Sequence, residues 1–155
     1  MSSRLPLVFA LAALAAAPFT TFTQAQAPPS PAPAALPLDL IKLPPGFNIA
    51  IYASGVPNAR QLALGSKGTV FVGNRNKTGD KVFALVDKDG DHKAEQVLTI
   101  ATGLNEPNGV AFRDGALYVA EISRVLRFDA IESRLDAPGE PAVVIDTLPK
   151  DTHHG

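Results

Sequence analysis

The chain has 155 residues, with 14 basic and 15 acidic side chains and a formal net charge of -1. That balance gives no electrostatic case for binding nucleic acid or an anionic membrane. It contains no cysteine, which excludes a disulfide framework and a thiolate site.

The N-terminus reads as an export signal. Arg4 supplies a positive start, Leu5 to Phe19 is almost wholly apolar, and Ala25-Gln26-Ala27 fits the small-x-small pattern for cleavage after Ala27. The apolar run is short for a membrane span, which needs about 20 residues. No cysteine follows it to carry a lipid anchor. The expectation is a signal peptide over 1–27 and a periplasmic or secreted protein with no membrane span after cleavage. Residues 28–37 are rich in Pro and Ala and read as a stiff, extended linker. The folded part is then expected over 38–155, room for one small core.

From Phe47 the pattern has period two. Phe47, Ile49 and Ile51 alternate with Asn48, Ala50 and Tyr52, which predicts a half-buried leading strand. Pro44-Pro45-Gly46 blocks helix just before it. Short apolar runs follow at Gln61–Leu64, Thr69–Val72, Lys81–Val86 and Gln96–Ala101. Gly65-Ser66-Lys67-Gly68 turns between the first two, and the polar stretch Asp87–Lys93 separates the last two. Four short strands with such turns predict one antiparallel meander.

The pattern then repeats after about 50 residues, the spacing of a propeller blade. Pro57-Asn58 recurs as Pro107-Asn108, Leu62-Ala63-Leu64 as Val110-Ala111-Phe112, and Val70-Phe71-Val72 as Leu117-Tyr118-Val119. Val82–Val86 recurs as Val125–Phe128, and Val97–Ala101 as Val143–Thr147. The predicted fold is all-β: an incomplete β-propeller with a leading strand and about two four-stranded blades, whose outermost strand Val143–Thr147 leaves an apolar edge. The second unit departs from the first at Asp129-Ala130-Ile131-Glu132. That D-x-x-E spacing predicts a short helix over Ala130–Leu135, with Asp129 as cap and Glu132 reaching back. Asp136-Ala137-Pro138-Gly139 ends it.

The loop Asp87-Lys88-Asp89-Gly90-Asp91-His92-Lys93-Ala94-Glu95 gathers Asp87, Asp89, Asp91 and Glu95 between two strands. A hard cation such as Ca²⁺ takes about six to eight oxygens, and such a loop can curl several around one ion. It is not an EF-hand: His92 stands where the required Gly should be, and Leu98 where the bidentate Glu should be. The two readings are a structural Ca²⁺ hairpin bound by those four residues and a solvated acidic turn.

Leu43-Pro44-Pro45-Gly46-Phe47, Pro57-Asn58-Ala59-Arg60, Gly103-Leu104-Asn105-Glu106-Pro107-Asn108-Gly109-Val110-Ala111-Phe112, Leu117-Tyr118-Val119-Ala120-Glu121 and the terminal Asp151-Thr152-His153-His154-Gly155 stand in an order that resembles the sorbosone dehydrogenase family. That family groups with soluble glucose/aldose dehydrogenases that use pyrroloquinoline quinone. The resemblance covers about Leu40 to Gly155. It implies a six-bladed propeller with the quinone over its central channel, and a chain that represents its N-terminal part. It further implies a periplasmic quinoprotein that oxidises an aldose or related aldehyde and passes electrons to a periplasmic acceptor. His154 would be the general base, since imidazole accepts a proton near neutrality. In a strand His153 would face the other way, so only one of the pair could reach a common site.

Arg60, Asn74, Arg75, Asn108, Glu121 and Arg124 lie at strand starts or ends, where a propeller presents side chains to its channel or rim. By blade position Arg60 and Asn108 could face the central cavity and hold the quinone, whose carboxylates suit a guanidinium. There is no dinucleotide, P-loop, zinc-protease or serine-hydrolase motif. With no Trp and two Tyr, a carbohydrate-stacking platform is poorly supplied. Fold does not determine function. A non-catalytic propeller that binds a partner and a metal-dependent lactonase therefore stand as alternatives.

Overall fold

The computed structural model describes residues 36–75 and 80–150. The leader over 1–27, most of the linker over 28–37, and His153 and His154 lie outside the described residues.

Two antiparallel meanders account for the described structure. β1 (Ala59–Leu64), β2 (Val70–Asn74), β3 (Val82–Val86) and β4 (Gln96–Ala101) form the first sheet in chain order. β5 (Gly109–Arg113), β6 (Ala116–Ala120), β7 (Val125–Phe128) and β8 (Ala142–Ile145) form the second. The described helical structure is two single 3-10 turns, Leu38–Leu40 and Ile131–Ser133. No described helix is long and apolar enough to cross a membrane.

The turns follow from local chemistry. Asp114 (φ 51°) and Gly115 (φ 79°) are both left-handed and join β5 to β6 with Arg113 opposite Ala116. A two-residue turn with both φ positive matches the right-handed twist of its strands. Between β1 and β2, the Gly65 N–H donates to the Thr69 carbonyl at 2.8 Å and closes the Gly65–Gly68 turn.

Alternation sorts the side chains into faces. On the first sheet Phe71, Val82, Ala84 and Ile100 point one way; on the second, Val110, Leu117, Val119, Leu126 and Phe128 point back at them in one core. The Phe71 and Phe112 rings stack across it, with centroids 5.8 Å apart and planes 9° apart. Each large side chain buried here is worth about 1.5–3 kcal/mol. Neither sheet alone could cover its inward apolar face, so each covers the other's. The opposite face of the first sheet holds a smaller cluster of Val72, Phe83 and Leu85, partly covered by Tyr52, Ala53 and Val56.

Three sequence expectations are corrected. Phe47–Ile51 is not a strand: Phe47, Ile49 and Ile51 are exposed, and no ladder partner pairs with them among the described residues. Alternation makes a segment fit for a sheet, but hydrogen bonds to a neighbour make it a strand. The helix over Ala130–Leu135 shrinks to the 3-10 turn Ile131–Ser133, with Ala130 left-handed (φ 49°) and no side-chain cap. Asp129 instead pairs with Arg127 at 2.7 Å, and Glu132 turns away to the first sheet. The outer strand is Ala142–Ile145 rather than Val143–Thr147; Val143, Val144 and Ile145 are exposed along it.

Candidate functional site

One end of the two sheets gathers the ends of β2 and β6 and the segments entering β1 and β5. Asn74, at the end of β2, is 2% exposed. Its side-chain N–H donates to the Pro57 carbonyl at 2.7 Å, and its main-chain N–H to the Pro107 carbonyl at 2.9 Å. Asn74 thus ties the entrance of its own sheet to the entrance of the next. Among the described residues its Oδ1 is buried without a hydrogen-bond partner, as is Asn108 Oδ1.

Gly73 explains how closely these segments approach. A Cβ built there would lie 2.3 Å from the Asn108 carbonyl oxygen and 2.8 Å from that of Pro107. Only glycine lets β2 touch the Pro107-Asn108 backbone.

The charged residues here are largely used up in pairs. Arg75 Nε lies 3.4 Å from Glu106, an ion pair between the two repeats. The Glu121 carboxylate, with its side chain 1% exposed, accepts from Arg124 and from the Asn105 N–H at 2.5 Å. The bond from Glu121 strengthens the hold of Arg124 on its proton, against the opposing effect of burial. A buried carboxylate with a cation and a main-chain donor is satisfied and holds the Asn105–Pro107 segment against β6.

Arg60 lies on the exposed part of β1, beside the irregularity between Ala59 and Leu62, and makes no ion pair among the described residues. Among the described residues, then, Arg60 has no ion pair and Asn108 Oδ1 no hydrogen-bond partner, and no hydrogen bond links the two side chains.

The acidic loop connects β3 to β4. Asp87, Asp89, Asp91 and Glu95 each offer a carboxylate oxygen, and the four lie within 4.8 Å of one another. Main-chain donors hold them: Gly90 and His92 donate to Asp87 at 2.7 and 3.0 Å, and Lys88 to Glu95 at 2.6 Å. Lys93 donates to Asp91 at 2.9 Å. Gly90 (φ 78°) and His92 (φ 68°) take the left-handed conformations that curl the loop. The Ala94 N–H donates to the Tyr52 carbonyl at 2.7 Å and ties the loop to the leading segment. Burial, then the charges of Asp87 and Glu95, push the Tyr52 hydroxyl above its usual range. Hard anionic oxygens at this spacing suit Ca²⁺, and one carboxylate oxygen of Asp89, Asp91 and Glu95 is left free of main-chain donors.

Sequence reasoning gave Glu132 a capping role and missed its partners in the β1–β2 turn. Its carboxylate accepts from the Ser66 hydroxyl at 2.7 Å and the Lys67 N–H at 2.9 Å. Burial pushes this carboxyl up, but the donors of Ser66, Lys67 and Thr69 outweigh it and hold it below the usual value. The available signal was the Ser66-Lys67 turn, whose N–H groups have no strand partner and attract an anion.

No protein-family model matches this chain, and no curated protein matches it.

Proposed function

We propose that the two sheets are consecutive blades of a β-propeller, and that the chain serves an exported quinone-dependent oxidoreductase of the sorbosone and aldose dehydrogenase type. Its substrate would be an aldose or related aldehyde, and its electrons would pass to a periplasmic acceptor. The observation that carries the reading is the repeat. β5–β8 follow β1–β4 strand for strand, and the two sheets stack face to face around one core, as neighbouring blades do. The order of motifs from Leu43 to His154 supplies the chemical part of the reading.

Pyrroloquinoline quinone would supply the hydride acceptor. Arg60 offers a guanidinium free of ion pairs among the described residues, suited to a cofactor carboxylate. Asn108 offers a buried acceptor without a donor among the described residues. These are two separate contacts and not an assembled cradle. His154 would take the proton of the substrate hydroxyl. Ca²⁺ at Asp87, Asp89, Asp91 and Glu95 would close the β3–β4 loop and have a structural role.

A non-catalytic binding module is the second reading. It is favoured by Arg75 and Arg124, whose charges are already met by Glu106 and Glu121. The test is dye reduction by the protein isolated from its own host, with quinone and Ca²⁺ added, across a panel of aldoses and aldehydes. Reduction that His154→Ala abolishes supports the dehydrogenase. No reduction with any substrate rejects it, and partner binding that survives His154→Ala favours the second reading.

A further inference from the structure

The 3-10 turn between β7 and β8 ties the two repeats together at their equivalent turns. The Ile131 N–H donates to the Gly115 carbonyl, in the turn joining β5 to β6, at 3.1 Å. The next residue, Glu132, reaches the turn joining β1 to β2. There the Lys67 N–H lies 2.9 and 3.2 Å from its two carboxylate oxygens, and the Ser66 hydroxyl 2.7 Å from one of them. Ile131 is fully buried, so Glu132 is presented to the first sheet from a fixed base.

The β1–β2 turn is built to receive an anion. Its Gly65 N–H donates to the Thr69 carbonyl and its Gly68 N–H to the Gly65 carbonyl, at 2.8 and 3.3 Å. These bonds close the turn and leave the Ser66 and Lys67 N–H groups without a main-chain acceptor among the described residues. Both face the carboxylate, together with the hydroxyls of Ser66 and Thr69. Successive main-chain N–H groups turned to one side form a concavity that favours negative charge. Gly65 supplies an independent observation. It is buried, and a Cβ built on it would fall onto the Glu132 carboxylate, with the Phe71 ring a milder contact at 3.2 Å. Its φ lies outside the left-handed region, so the backbone does not demand glycine here; the room for the carboxylate does.

We propose that the β1–β2 turn is a carboxylate-binding site, that Glu132 is its tethered occupant, and that a free carboxylate takes its place once that side chain is removed. The lining sets the class of ligand. It presents donors, and Ser66 and Lys67 meet different oxygens of one planar group, which a halide cannot offer. The tether keeps the local concentration of Glu132 high, so the wild type holds its own carboxylate against free ones. Nothing in this site depends on the dehydrogenase reading.

Chemical rescue is the test. Glu132→Ala empties the turn, and thermal unfolding of the full chain is followed by circular dichroism in rising sodium formate or acetate. Sodium chloride at equal ionic strength controls for screening. In chloride, Glu132→Ala should melt below the wild type. Formate should raise its melting temperature saturably toward the wild-type value, as a ligand that binds only the folded chain does. The wild type should respond to formate no more than to chloride. Adding Gly65→Ala to Glu132→Ala should raise the formate concentration for half-maximal rescue by about tenfold or more. The Lys67 amide resonance reads the same event directly, shifting with formate in Glu132→Ala and not in the wild type. Should Glu132→Ala fail to fold, Glu132→Asp, which draws the carboxylate back by one methylene, gives the same readouts. Formate that acts no differently from chloride overturns the proposal. A rescue that survives Gly65→Ala overturns it too, because the anion would then bind elsewhere.

Discussion

The Glu132 carboxylate accepts a hydrogen bond from the Lys67 main-chain N–H at 2.9 Å, across 65 positions of sequence. Ser66 adds a second donor at 2.7 Å. The 3-10 turn after β7 is thereby latched to the turn between β1 and β2, on the side of the sheets away from Asn74.

The latch makes stability pH-dependent. The Glu132 carboxyl lies below its ordinary value of 4.5 in the folded chain. The folded state therefore holds this proton less tightly than the unfolded state. The stabilisation is fully present above about pH 4.5 and is lost as pH falls through the folded value. Glu132→Gln should cost roughly 1 kcal/mol at neutral pH, a figure reduced for the partial exposure of the site. Denaturant titrations at neutral and acid pH should show the deficit shrinking as pH falls. A constant deficit would mean that charge has no part in the latch.

Gly73→Ala should be among the most damaging single changes. Its new Cβ would meet two carbonyl oxygens of the main chain, at 2.3 Å and 2.8 Å, and neither can swing aside as a side chain could. The cost should be about 2–3 kcal/mol, read as a lower denaturation midpoint. If the midpoint is unchanged, Pro107-Asn108 does not sit on β2 as described.

The strands were legible because alternation and turn residues are local. Leu117 and Val119, for example, fall on one face of β6 by counting alone. Phe47–Ile51 misled for the same reason: alternation describes a segment and not the neighbour that must pair with it. Asp129 and Glu132 matched a capping spacing, yet stronger donors and acceptors outside the segment took both side chains. The four carboxylates of the β3–β4 loop were legible because they lie within nine residues of one another. The Arg75–Glu106 pair was not, since nothing local to either residue names the other.

Asn74 offers a test of the joint between the repeats. Asn74→Ala removes the bond to the Pro57 carbonyl and leaves that acceptor unmet, a loss of about 1–3 kcal/mol. Asn74→Asp should be worse at neutral pH, because a carboxylate at this 2%-exposed position would face the Pro57 carbonyl oxygen. Burial would raise its folded pKa above the ordinary value of about 3.9. A raised carboxyl binds its proton more tightly when folded, so this variant should gain stability relative to wild type as pH falls from 7 toward 5. Parallel pH profiles for Asn74→Asp and wild type would show that the side chain is not buried in solution.

Calcium should stabilise the chain if the acidic loop binds it. Extracellular calcium modules bind with dissociation constants of about 10⁻⁴–10⁻³ M. About 10 mM Ca²⁺ would then add roughly 1.4–2.7 kcal/mol, a rise of several degrees in melting temperature over a chelator control. Asp89→Asn with Asp91→Asn should abolish the response, and both residues are exposed, so the fold should survive the change. His92→Gly acts on the same loop through the backbone. Its left-handed φ of 68° costs a side-chain-bearing residue more than glycine, so this variant should bind Ca²⁺ at least as tightly as wild type. Equal melting temperatures in Ca²⁺ and chelator would instead make the loop a solvated turn, held by its own main-chain bonds to Asp87 and Glu95.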